Sequence, residues 1–185
     1  MRNNSAKSFL QVIAMIAIAL PINTLAWNDK VTHRDISQYA SEQSLLKTDE
    51  YIYKIGYANG LRSALEWDGL NRMVWQWLAE EGSVEEDTVP RWLNHFHDPL
   101  VPWTNAGLRK LVTWESTVLW AQDYKNNDKW SWQKTRNYYY SALTAEIKST
   151  RDAYFAQTFR GLGQQIHLLQ EGTLGTLVLT VHNDI

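Results

Sequence analysis

Residues 161–171, G-L-G-Q-Q-I-H-L-L-Q-E, decide how the chain is read. The stretch has a helical period and sets His167 and Glu171 four residues apart, on one face and one turn from each other. Two side chains at that separation can share a divalent cation. Leu162, Ile166 and Leu169 are expected on the neighbouring face, which puts the pair at the margin of a buried seam. A solvated helix contact is the commoner meaning of one such pair, so the rest of the chain has to be weighed with it.

Upstream, Ser149-Thr150-Arg151-Asp152 resembles a capping box and begins this last helix. Before it, Ser131 is expected to cap a helix running to about Lys148. Further helices are predicted over Asn105–Asp123, Leu70–Glu81 (stopped by Gly82) and about Asp49–Leu65. The first is expected to start at Thr32 as N-cap, with Ile36, Tyr39 and Ala40 as its apolar stripe. Ser83–Pro102 is polar, holds three of the four prolines, and reads as an ordered loop. No strand is expected before Glu171, so the fold class is all-α, one compact multi-helix bundle over residues 27–171. Residues 172–185 differ: threonines, Leu174 and Leu177–Val181 give a β-like tail without helical period.

At the other end, residues 1–26 have the form of a secretory signal. Arg2 and Lys7 precede an apolar run from Phe9 to Leu20, and Thr24-Leu25-Ala26 offers small residues for cleavage after Ala26. That run of 12 residues is shorter than the ~20 needed to span a bilayer. The expected product is exported, to periplasm or medium, and begins at Trp27.

Lys and Arg number 18 against 20 Asp and Glu; removing Arg2 and Lys7 leaves 16 against 20, a net charge near −4. Binding driven by phosphate-backbone charge is thereby disfavoured, and no stable nucleic-acid complex is expected. With no cysteine, disulfides contribute nothing, and packing or bound metal must hold the fold. Ten Trp, nine Tyr and four Phe supply much of the buried area, with a minority free for a cation cage or a lipid interface.

Candidate metal ligands fall in four places: His33; Glu86 and Asp87 ahead of Asn94-His95-Phe96-His97-Asp98-Pro99; His167 with Glu171; and His182. Imidazole nitrogen mixed with carboxylate oxygen suits zinc. A lone loop histidine is usually structural; several at helix ends that converge make a stronger case.

Taken together, Trp27, Thr32-His33, Glu86-Asp87, R-W-L-N-H-F-H-D-P (Arg91–Pro99) and L-G-Q-Q-I-H-L-L-Q-E (Leu162–Glu171) resemble the bacterial zinc-dependent phospholipase C family, whose fold is shared with single-strand-specific zinc nucleases. The resemblance implies that Trp27 binds zinc through its freed α-amino and carbonyl groups. It also implies His33, a carboxylate from Glu86-Asp87 (Asp87 preferred), His95, His167 and Glu171 as ligands. Glu171 would bridge two zincs; Asp87, His95 and His167 would complete one, and Trp27 and His33 the other. Hydroxide generated there would attack phosphorus in line, with Asp87 orienting or deprotonating the water. His97 has no role in that pattern.

The chain departs from the pattern in two places. Glu171 stands where the family has Asp. The histidine expected ten residues after His167 is Leu177, and a further H-x-x-x-[DE] pair is not found, so the ligands of a third zinc are missing. His182-Asn183-Asp184 looks like a displaced family segment, and a truncated or altered product after Glu171 is expected. The activity implied is hydrolysis of the glycerol–phosphate bond of phospholipids, with peripheral membrane contact. The alternatives are a single-strand-specific nuclease on the same fold and a non-catalytic metal-binding remnant.

Overall fold

A computed structural model describes residues 29–48, 50–88, 90–108, 114–123, 126, 127 and 129–182. The expected signal segment and Trp27 lie outside them. Helix α1 spans Asp29–Gln43 and is followed by the single turns α2 (Leu45–Thr48) and α3 (Tyr51–Lys54) and a 3-10 turn, Gly60–Arg62. Strands β1 (Ala64–Trp67) and β2 (Leu70–Met73) pair antiparallel, with Leu65 opposite Arg72 and Trp67 opposite Leu70. The short helix α4 (Val74–Gln76) runs straight into a π-helical segment, Trp77–Ser83. Three 3-10 turns, Glu85–Asp87, Arg91–Asn94 and Trp103–Asn105, lead to α5 (Thr117–Gln122), α6 (Trp132–Thr144) and α7 (Lys148–His182). Among the described residues the architecture is mostly helical, as expected, with one small hairpin.

That hairpin replaces the ends of two expected helices. Its loop is Asp68-Gly69, with φ of 52° and 73°. Positive φ at both central positions is type I′ geometry, whose twist matches that of the strands and which Asp-Gly adopts at low cost. Leu65 points into the core while Ala64 and Glu66 face out, the period of a strand. The helix expected over Asn105–Asp123 is reduced, among the described residues, to α5. Gly107 lies so close to the backbone of Trp114 and Glu115 that an added Cβ would come 2.7 Å from the Glu115 carbonyl carbon. That approach is incompatible with Gly107 and Glu115 lying along one continuous helix.

Other boundaries also shift. Thr32 lies within α1, which begins at Asp29. Ser131 does cap α6, accepting from the Lys134 amide at 3.4 Å. Ser149 and Asp152 lie inside α7; the Asp152 carboxylate accepts from the Tyr57 hydroxyl (2.7 Å) and pairs with Lys148 instead of closing a capping box. Residues 172–182 continue α7 and are not β-like. An existing helix adds residues far more readily than a new element nucleates.

Trp77, Leu78, Ile52, Leu65, Phe155 and Phe159 form the core, with α7 packed along the π segment, α6 and β1. Gly82 and Gly163 make that crossing possible: a Cβ on Gly82 would meet the Arg160 carbonyl oxygen and stand 2.9 Å from the Gly163 Cα, and one on Gly163 would strike the Leu78 carbonyl oxygen. The inward stripe of α7 there is Gln164, His167, Leu168 and Glu171, at i, i+3, i+4 and i+7. Leu168 is therefore buried and Leu169 exposed, reversing the expectation for Leu169. Among the described residues no helix is long and apolar enough to cross a membrane.

Candidate metal centre

Because α7 lies against α1, its polar stripe meets His33. His33 and His167 are buried, their ring centroids 4.1 Å apart. His33 Nε2 is 2.8 Å from Glu171 Oε1. One donor atom each from His33, His167 and Glu171 lies within 4.8 Å of the others. Two imidazoles and one carboxylate form a donor set suited to a divalent metal, with coordination positions left open. These residues fit a cation.

The ring of His33 is oriented on both edges. Its Nδ1 lies 2.6 Å from Gln170 Oε1, and the Gln170 amide nitrogen donates to Ser37 Oγ at 3.1 Å. Ser37 in turn donates to Ser83 Oγ (2.9 Å), which reaches the His33 carbonyl at 3.4 Å. With an acceptor at Nδ1, that nitrogen carries a proton, and Nε2 is left facing the Glu171 carboxylate. If Nε2 is protonated as well, the two form an imidazolium–carboxylate pair; with a cation bound, Nε2 would be the donor atom. The hydrogen bond from His33 holds the Glu171 carboxyl below its ordinary range, burial opposes this, and positive charge on His33, His167 and His95 adds to the lowering.

His95, also buried, follows the turn Arg91–Asn94 and places Nδ1 3.3 Å from His167 Nε2. Its other nitrogen, Nε2, is 3.8 Å from Glu86 Oε1. Glu86 is wholly buried and already engaged. Arg91 Nε donates to Oε2 at 2.8 Å, Arg91 Nη2 pairs with the same oxygen, and Trp120 Nε1 donates to Oε1 at 2.9 Å. Arg91 also donates to Gln164 Oε1 (2.6 Å) and Asn127 Oδ1 (3.1 Å), which ties the turn to α7 one helical turn before His167. Arg160, between the rings of Trp67 and Trp130, pairs with Glu85 at 2.8 Å.

No protein-family model, curated protein or solved structure matches the chain. The centre therefore rests on its own geometry. Of the six ligands expected from sequence, His33, His167 and Glu171 come together, and His95 joins them through His167. Trp27 lies outside the described residues. Asp87 ends the turn Glu85–Asp87, its side chain outside what is described, and Glu86 turns its carboxylate to Arg91 and Trp120. His97 is half-buried, with its ring 6.4 Å from that of Trp103. Sequence reasoning missed Gln170, Ser37, Ser83, Arg91 and Gln164. The available signal was the 4-3-4 spacing of Arg160, Gln164, His167 and Glu171, a polar line on a helix that has to be buried.

Proposed function

We propose that this chain is an exported zinc-dependent phosphodiester hydrolase of the phospholipase C type, with His33, His167 and Glu171 as the core of its metal centre and His95 beside them. The convergence of His33 from α1 with His167 and Glu171 from α7 supports this above all. Those residues were singled out from motifs far apart in the chain, and burying two imidazoles beside a carboxylate serves no packing need that apolar residues would not meet better. Imidazole and carboxylate donors favour zinc over magnesium or calcium, whose sites are built from oxygen.

A divalent cation held there supplies Lewis-acid polarisation of a phosphoryl oxygen and a more acidic water. The chain's own part is orientation. Gln170 and Ser37 fix the His33 ring, the pitch of α7 fixes the spacing of His167 to Glu171, and the wall around Leu168 limits solvent on the inner side. Glu171, only half-buried, is the most solvent-exposed of the three.

Metal analysis of the purified protein, with hydrolysis of a chromogenic phosphocholine ester and of single-stranded DNA run in parallel, tests the proposal. Bound zinc and release of phosphocholine are expected, both lost in His167→Ala. Nucleotide release in place of phosphocholine release would move the substrate to nucleic acid. Zinc without either activity would leave a metal-binding domain, and protein that takes up no zinc would remove the centre altogether.

A further inference from the structure

Glu86 is the most enclosed carboxylate beside the centre, and the structure gives it a part other than binding metal. Both of its oxygens already accept from cationic or indole N–H groups, Oε2 from Arg91 and Oε1 from Trp120. Arg91 is itself held by Gln164, Asn127 and the face of the Trp120 ring, 5.4 Å from the guanidinium carbon. A carboxylate clamped in this way cannot swing out to a cation without leaving the half-buried Arg91 guanidinium without its counter-charge. It nevertheless stands 3.8 Å from one specific atom, His95 Nε2, while His95 Nδ1 faces His167 at 3.3 Å. Glu86 thus lies beside one nitrogen of the ring and His167 beside the other.

A neutral imidazole carries its proton on one nitrogen and its lone pair on the other, and an adjacent carboxylate settles which. A closing of roughly 0.6–1 Å brings His95 Nε2–H into hydrogen-bonding range of Glu86. We propose that Glu86, clamped by Arg91 and Trp120, is a positioning residue that keeps the proton of His95 on Nε2, so that Nδ1 is the donor atom presented beside His167 to the cation. This inference rests on the metal centre proposed above and assigns work to a residue pair that binds neither metal nor substrate. Arg91 then has two tasks: it neutralises Glu86, and through Gln164 it sets the register of the His95 turn against α7.

Long-range 1H–15N spectra of 15N-histidine-labelled protein, with His95 assigned by its loss in His95→Gln, read the proton position directly. Zinc affinity is measured in parallel by competition with a chromophoric chelator. In the wild type, His95 is expected to be protonated at Nε2, with the zinc-induced shift at Nδ1. Glu86→Gln is expected to bind zinc about 10–100-fold more weakly and to show mixed His95 tautomers. A wild-type His95 protonated at Nδ1 overturns the inference without recourse to any variant, which covers the case in which Glu86→Gln fails to fold. A folded Glu86→Gln with wild-type zinc affinity and an unchanged His95 tautomer overturns it too. Wild-type protein that takes up no zinc removes the metal centre and this inference together, an outcome distinct from either of the others.

Discussion

His33 Nε2 and Glu171 Oε1 are 2.8 Å apart, so the first described helix and the last are joined at the candidate centre. The contact is at once an ion pair and two-thirds of a donor set. It therefore behaves differently with and without metal.

Zinc should stabilise the folded state by mass action, because the donors are together only there. At free zinc 100 times its Kd, the gain is about 2.7 kcal/mol. Thermal melts with zinc and with a chelator check this: a higher Tm with zinc is expected for the wild type and no shift for His167→Ala. Equal shifts in both proteins would place the metal elsewhere.

In metal-free protein the pair makes stability depend on pH. Glu171 has its carboxyl lowered from an ordinary value of 4.5, chiefly by the hydrogen bond from His33. A carboxyl whose folded pKa lies below its unfolded pKa contributes stability that is fully present above the unfolded value and is lost as pH falls through the folded one. Urea unfolding from pH 7 down to pH 3 should therefore show a decline beginning near pH 4.5 that is shallower in Glu171→Gln. Identical curves would mean that the pair contributes nothing.

Gly163→Ala should cost about 3 kcal/mol or prevent folding, since the new methyl meets the Leu78 backbone and nothing flexible can yield. Gly69→Ala makes a useful contrast. Nothing lies within 4 Å of its Cβ position, so only the left-handed backbone (φ 73°) resists, at about 1–2 kcal/mol. Denaturant midpoints order the two.

Arg91→Ala takes the cation away from a wholly buried carboxyl, and a loss of about 3–5 kcal/mol is expected. Arg91→Lys should recover little of it, because one ammonium cannot span Glu86, Gln164 and Asn127 as the forked guanidinium does. A Lys variant as stable as the wild type would show that charge alone matters.

The helical class and the pairing of His167 with Glu171 were legible in the sequence because both follow from a period of 3.6. His33 and His95 were legible as candidates by residue type, but their grouping into one ligand set came through motif resemblance, since nothing in local spacing says that α1 and the turn after Arg91 will meet α7. The hairpin was hidden by its brevity. Four residues on each side of Asp68-Gly69 are too few for alternation to outweigh the helical content around them, although the Asp-Gly pair itself was a turn signal. Leu169 was assigned to the seam because apolar residues were assumed to mark the buried stripe. On α7 that stripe is half polar, and Leu168 is its apolar member. Gln170 and Ser37 carry no chemistry of their own in sequence and gain it only by contact with His33.

Because His33 is made early in synthesis and His167 and Glu171 late, the cation has nothing to bind until almost the whole described chain exists and its two ends have met. A chain stalled or cut between them keeps one imidazole on one piece and leaves the other donors on the second. A bound ion would therefore report that the stretch from His33 to Glu171 has been made and folded together.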